Sequence, residues 1–315
     1  DGRITQWDIE SDGLSRAGPD LVPPPGMVYS GAVTLSPSGR IATMGTVTGA
    51  VQFADMSDPA DPHLVGSVDA QHTLNETVDY SERSHLAVTG ATDSNIVTVI
   101  DASDLAGPKV VSTFDAGGGV WWTTLSPDGR RVAVATSTGV VQLVDLTDPA
   151  APRAYPHPID FEGAALAVRF SAHGDRIVAT SEERAVVVAD VSNPQAPHTI
   201  ATLTGPAGQL YSAGFSADGS HVIAGGGNSE VWVWNLADGG SAEVVLRSFP
   251  GRVYDVRFAP GDRILAAGEA GVIESWELDT GAIIDAQCAQ TGDQITEEEW
   301  ATYVHGMGYQ PPCRR

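Results

Sequence analysis

One short pattern recurs along this chain: an apolar or aromatic residue is followed by a turn that contains serine or proline, and the pattern returns every 45 residues. A sixth copy follows after 43 residues. The residues that open the six copies are Leu35, Tyr80, Leu125, Phe170, Phe215 and Phe258. Fixed self-similarity of this length is the signature of repeated supersecondary units that bury their faces only by stacking on neighbours. The repeat therefore predicts an architecture before any single motif is considered.

Within each copy the residues alternate between apolar and polar, which predicts β-strands. The copy over 120–145 shows this most clearly, with two turns containing Gly129 and Gly139 between three β-branched segments. A second count of the repeat units comes from the acid or amide that ends the third strand of each unit. These residues are Asp8, Asp55, Asp101, Asp145, Asp190, Asn235 and Glu277. A unit of roughly 40 to 45 residues with four short strands is typical of a β-propeller blade. The sequence thus predicts an all-β fold, a β-propeller.

Three of the third strands end in a tryptophan followed by an acid or amide, at Trp7-Asp8, Trp234-Asn235 and Trp276-Glu277. With the Ser-Pro-Asp-Gly type turns, these residues resemble the WD-repeat family over 1 to about 287. The Asp-Pro-x-x-Pro links, such as 58–62, look like the degenerate WD repeats of actinobacterial signalling proteins. They are also similar to the LVIVD-type propeller repeats of bacterial surface proteins. The resemblance implies a non-catalytic scaffold of bacterial type.

The first unit begins at its third strand, so we expect an N-terminal half-blade whose two inner strands come from preceding residues of a longer polypeptide. Six complete four-stranded blades and this half-blade make seven blades in all. The predicted propeller spans 1–287, followed by a C-terminal helical tail at 288–315. Its parts are the half-blade at 1–24 and blades at 25–69, 70–115, 116–159, 160–204, 205–249 and 250–287.

The tail changes from strand spacing to helix spacing. Thr296 and Glu299 form a capping-box pair at a predicted helix start. Both cysteines of the chain, Cys288 and Cys313, flank this helix, so the alternatives are a disulfide clasp and two free thiols. A disulfide favours an extracytoplasmic location, and free thiols a cytoplasmic one. The tail resembles the terminal cap of actinobacterial WD-repeat proteins, which implies covalent continuity with an upstream signalling domain.

Charge and hydropathy limit the partners. The formal net charge is -23, from 40 acidic and 17 basic residues. Such an excess disfavours phosphate backbones and anionic lipid. No run of 18 apolar residues occurs. We therefore expect no nucleic-acid partner and no direct membrane insertion.

Sequence motifs for catalysis are absent. The chain has no Gly-x-Ser-x-Gly, phosphate loop, His-Glu-x-x-His or Cys-x-x-Cys. At the starts of the inner strands only Asn75 and Glu76 have metal-binding side chains, and one blade does not coordinate a metal alone. We expect no enzyme activity, no catalytic residue, no metal and no cofactor.

The inner-strand starts instead carry bulky side chains. Tyr and Trp dominate the energetics of interfaces. Propeller cores also need large residues at such positions, so a partner surface and an inter-blade core both remain open. The candidate partner-binding residues are Glu76, Trp121, Trp122, Leu166, Tyr211 and Tyr254.

These observations favour a protein-interaction scaffold that binds a protein or peptide, as the sensor or partner-binding part of a larger bacterial protein. A secreted or surface propeller that binds a small ligand, or acts as a channel-centred hydrolase or lactonase, is the alternative. A third possibility is a structural spacer, which needs no exposed patch.

Overall fold

The computed structural model describes residues 2–10, 13–237, 239–247, 249–260 and 263–278, and almost all regular structure there is β-strand. Six sheets of three to five strands form six blades, and a two-stranded sheet precedes them. The predicted all-β propeller is confirmed in this form. The predicted helical tail at 288–315, with Cys288 and Cys313, lies outside the described residues.

Every sheet is an antiparallel meander, with its strands in chain order from the inside of the propeller outward. The two-stranded sheet contains β1 (Trp7–Glu10) and β2 (Gly13–Arg16). The first blade contains β3 (Tyr29–Leu35), β4 (Ile41–Thr46), β5 (Ala50–Asp55) and β6 (His63–Asp69). The second contains β7 (Thr77–Ser81), β8 (Leu86–Gly90), β9 (Ile96–Asp101) and β10 (Lys109–Asp115). The third contains β11 (Val120–Leu125), β12 (Arg131–Thr136), β13 (Val140–Asp145), β14 (Arg153–Ala154) and β15 (Ile159–Asp160). The fourth blade contains β16 (Ala165–Phe170), β17 (Arg176–Ser181), β18 (Val186–Asp190) and β19 (His198–Leu203). The fifth contains β20 (Leu210–Phe215), β21 (His221–Gly226), β22 (Val231–Asn235) and β23 (Ser241–Leu246). The sixth contains β24 (Val253–Ala259), β25 (Arg263–Gly268) and β26 (Ile273–Glu277).

Two blades differ from the expected four strands. In the third blade the outer strand is split into β14 and β15, which both pair with β13. Pro156 and Pro158 lie between them, and proline has no N–H to continue a ladder. In the sixth blade the described residues form three strands, followed by residues that lie outside the description.

The turns that carry the repeat are closed by side chains. In the third blade, Ser126 Oγ donates to Asp128 Oδ1 at 2.5 Å, and the same contact between Ser216 and Asp218 in the fifth blade is 2.6 Å. The glycine that follows, Gly129, has φ of +69°, a conformation that costs glycine little. The Ser-Pro-Asp-Gly pattern is therefore the chemistry of a tight turn between the first two strands of a blade.

The hydrophobic core lies between the blades rather than within one sheet. Five of the six apolar clusters found in the described residues join two sheets that are neighbours in the chain. In one of them, for example, Val88 and Val99 of the second blade pack with Val132 and Val144 of the third. In the sixth cluster, Leu21, which forms an isolated bridge with Ile4, packs on the first blade. Stacking of sheets thus holds the fold together.

The inner strand of the first blade is the exception. Its Val33 and Leu35 are 50% and 56% exposed, whereas Thr123 and Leu125, which occupy the same repeat positions in the third blade, are 1% and 7% exposed. A cavity of about 470 Å³ lies beside Val33 and is lined on its far side by Ala267 and Ile273 of the sixth blade and by Ile4. Among the described residues, no inner strand occupies this space.

Because of this difference in exposure, we expect the Leu→Ala substitution to lower stability by different amounts at two matched repeat positions. Leu125→Ala should lower the free energy of unfolding by about 2–5 kcal/mol, because it opens a cavity between packed blades. Leu35→Ala should change it by no more than about 0.5 kcal/mol. Urea unfolding of the 315-residue chain measures both. Equal losses would mean that Leu35 is covered.

Candidate functional site

The inner strands β3, β7, β11, β16, β20 and β24 line a central channel with two rims. We call the rim at which these strands begin the upper rim, with Glu76 and Tyr254. The lower rim lies where the strands end and turn, around Pro37, Glu82 and Pro127.

At the upper rim the same irregularity recurs in four blades. The register between the first and second strand shifts by one residue across Trp121, Leu166, Tyr211 and Tyr254. In each case the extra residue of a β-bulge has no partner opposite, and a bulge re-aims the side chain it carries. Four of the six predicted partner-binding residues are therefore the bulged residues of their blades.

Their environments differ. Trp121 and Tyr254 are 40% and 49% exposed, whereas Leu166 is 8% exposed and packs inside. Half-buried Tyr211 lies beside Tyr254 on the next blade, with ring centroids 6.1 Å apart. The structure thus brings together two of the predicted aromatic residues and exposes a third.

The remaining two predicted residues lie beside these. Glu76 is exposed at the start of β7, and its Oε1 accepts a hydrogen bond of 3.3 Å from Thr92 Oγ1. Trp122 is half-buried and faces the channel, where the guanidinium carbon of Arg169 lies 4.8 Å from its ring centroid. Trp122 is therefore part of the channel wall.

Inside the channel is a polar network that the sequence analysis missed. Asp255 Oδ1 accepts hydrogen bonds from Arg169 Nη2 at 2.8 Å and from Ser212 Oγ at 2.5 Å. Its Oδ2 accepts one from Arg257 Nε at 3.1 Å. Because these residues lie on β16, β20 and β24, one carboxylate links three successive blades.

A second carboxylate links the first three blades. Asp79 on β7 accepts hydrogen bonds from the backbone N–H of Leu125 at 2.7 Å and from its neighbour Tyr80 at 2.9 Å. Thr34 Oγ1 on β3 donates a third, at 3.3 Å. Burial raises the pKa of Asp79 above its ordinary value, although these hydrogen bonds and the positive charge of Arg169 act in the opposite direction.

Arg169 reaches across a blade to meet Asp255. The intervening strand β20 has Gly214 at the matching repeat position, where a Cβ would already lie 3.9 Å from Arg169 Cδ. A longer side chain there would meet the arginine. One pattern in the sequence could have indicated this channel network: charged or small residues recur immediately before the apolar residue that ends each inner strand. The residues at this position are Thr34, Asp79, Thr124, Arg169, Gly214 and Arg257.

Among the described residues, no group of three or more His, Cys, Asp or Glu side chains is arranged to hold a metal ion. No helix in that part of the chain has the length and apolar content needed to cross a membrane.

Comparison with known families gives one match. The family described as WD domain, G-beta repeat matches residues 197–235. The matched segment covers β19, the outer strand of the fourth blade, and β20 to β22 of the fifth. Its second-to-last residue is Trp234, which is fully buried, stacks on Trp232 at 5.8 Å and donates from Nε1 to the carbonyl of Thr204. No curated protein matches the chain. The matched repeat and the six stacked blades together support a WD-repeat β-propeller.

The channel network predicts a measurable coupling. Asp255→Asn replaces an acceptor of two arginines and a serine by an amide with one acceptor oxygen, so the free energy of unfolding should fall by about 1–3 kcal/mol at neutral pH. The double variant with Arg169→Gln should lose less than the sum of the two single losses, which a double-mutant cycle in urea measures. Asp160→Asn, at an exposed position of strand β15, is the matched control. Additive losses would show that the two residues are not coupled.

Proposed function

We propose that this chain is a non-catalytic protein-interaction scaffold that binds a protein or peptide partner at its upper rim. Propellers of the WD-repeat type are commonly interaction scaffolds, which supports the class of function. One observation carries the choice of surface. Bulges in the inner strands present Trp121 and Tyr254 to solvent at the channel mouth, with Tyr211 packed against Tyr254.

Exposed aromatic side chains at a concave mouth are suited to recognition. They bury a large area on contact and lose little conformational freedom, because each has only two side-chain torsions. The inner strands that carry them are held between neighbouring blades, so the rim is rigid and binding would require little ordering. Glu76 adds a negative charge at the same rim, which would favour a basic group on the partner.

We also infer that the ring has seven blades when complete, with two strands from outside the described residues in the space beside Val33 and Leu35. The exposure of these two side chains supports this. Covalent continuity with an upstream domain, a bacterial signalling role and an extracytoplasmic location if Cys288 and Cys313 are paired complete the proposal. These features rest on the resemblance in the repeats and the tail.

Substitutions at the upper rim test the proposed surface. Trp121→Ala and Tyr254→Ala should each weaken binding of the partner by roughly tenfold or more, as expected for interface aromatics. The melting temperature should change little, because both side chains are exposed. Tyr211→Ala should weaken binding too, with some loss of stability.

The measurement is quantitative co-purification from the source organism with wild-type protein and each variant, followed by affinity measurement on the partner identified. Ile200→Ala is the matched control, because Ile200 is 45% exposed on the outer strand β19. A partner that is retained by the Trp121 and Tyr254 variants would exclude the upper rim as its binding surface. A large stability loss in both variants would show that the two side chains belong to the core.

A further inference from the structure

The lower rim of the channel opens into a cavity of about 900 Å³. Three arginines and three carboxylates line it: Arg83, Arg169, Arg257, Asp79, Glu82 and Asp255. The whole chain has 40 acidic and only 17 basic residues, so equal numbers in one cavity are a local enrichment of positive charge. We call this space the lower-rim cavity.

The carboxylates of the lower-rim cavity are already occupied as acceptors. Asp79 accepts from two backbone N–H groups and from Thr34. Glu82 accepts from both the backbone N–H and the hydroxyl of Ser38. Asp255 accepts from Arg169, Arg257 and Ser212 and from the backbone N–H of Val256. A ligand that donates hydrogen bonds would therefore have to displace existing donors.

The arginines, in contrast, have donors to spare. Arg257 is 46% exposed and uses Nε on Asp255, while no partner among the described residues bonds its two terminal nitrogens. Arg169 is 12% exposed, and its Nε is buried without a hydrogen-bond partner in that same part of the chain. A guanidinium has five N–H donors and no acceptor. The unused hydrogen-bonding capacity of the cavity is thus on the donor side.

The charges of the cavity residues also favour a ligand that accepts hydrogen bonds. Arg169 and Arg257 both bind the single carboxylate of Asp255, so this group of three residues carries one net positive charge. A largely buried guanidinium with an unsatisfied N–H, such as that of Arg169, attracts an anion more strongly than a fully exposed one does.

From this geometry we propose that the lower-rim cavity binds a carboxylate group, through the terminal nitrogens of Arg257 and the positive charge of the Arg169–Asp255–Arg257 group. The planar fork of a guanidinium fits a carboxylate with two parallel hydrogen bonds. A single negative charge suits the site better than a phosphate dianion, because the carboxylates of Asp79, Glu82 and Asp255 face the same space and would repel a second charge. The lower-rim cavity opens at the rim opposite Tyr254, and Arg169, Asp255 and Arg257 line the channel between the two rims.

Ligand-observed saturation-transfer NMR on the whole chain, at constant ionic strength, tests the proposal with two carboxylate sources. One is butyrate, and the other is an acetylated and amidated peptide with a single Glu, compared with its Gln counterpart. Binding of both would indicate that a free carboxylate suffices, and binding of the Glu peptide alone would indicate a carboxylate on a protein segment. Either result supports the site, and the Gln peptide should not bind. If neither carboxylate binds, or if phosphate competes as well as butyrate does, the proposal is overturned.

Substitutions locate the site. Arg257→Gln should weaken carboxylate binding roughly tenfold or more, since a hydrogen bond to a charged group is lost. Arg257→Lys should retain part of the affinity, because it keeps the charge but not the fork. Arg153→Gln, on the exposed strand β14, makes the same charge change away from the channel and should bind as the wild type does. Trp121→Ala should also bind normally. An Arg257→Gln variant that is folded by circular dichroism and binds with unchanged affinity would overturn the assignment.

Discussion

No blade of this propeller can bury its apolar faces alone, and the rest of the structure depends on that constraint. A small antiparallel sheet has two faces and needs a neighbour on each. Five of the six apolar clusters of the described residues lie accordingly between sheets. Beside β3, where the described residues provide no inner strand as a neighbour, the same repeat positions that are buried in the third blade hold the exposed Val33 and Leu35. Val33 and Leu35 are therefore exposed because of what lies next to them in the ring, and not because of their residue type.

Stacking also explains the chemistry of the channel. Inner strands from all six blades converge there, and each has one polar edge that the next sheet does not pair, so polar groups have to find partners across blades. Asp79 and Asp255 provide acceptors for donors on neighbouring strands, and Thr77 and Thr123 bond each other in the same way. The channel is therefore lined by hydrogen bonds that connect the blades from the inside. These hydrogen bonds occupy the acceptor oxygens of the carboxylates but leave some N–H donors of the arginines unused. The Arg169–Asp255–Arg257 group in the channel wall therefore carries a net positive charge, although the chain as a whole is strongly acidic.

The two rims of the channel differ because a bulge occurs at only one of them. At the upper rim, four inner strands contain an extra residue, and in two of these blades its side chain is an exposed aromatic. At the lower rim, tight serine and aspartate turns close each blade, and the space between them is lined by charge. An aromatic upper rim suits a protein or peptide surface, and a charged lower rim suits a small ionic group. One scaffold thus presents two surfaces of different chemistry.

The repeat, the all-β class and the turns could be predicted from the sequence, because they depend on local alternation and on residues such as Gly129 that suit a tight turn. The sequence also placed Trp121, Leu166, Tyr211 and Tyr254 at one repeat position, which the bulges explain. The burial of Leu166 and the exposure of Trp121 could not be predicted, since they depend on the side chains of the adjacent blade. The pairing of Arg169 with Asp255, 86 residues apart, was equally invisible, because it requires two blades separated by a third and a glycine in the intervening strand. Local patterns define a blade, but the contacts between blades are set only when the ring brings distant residues to one channel.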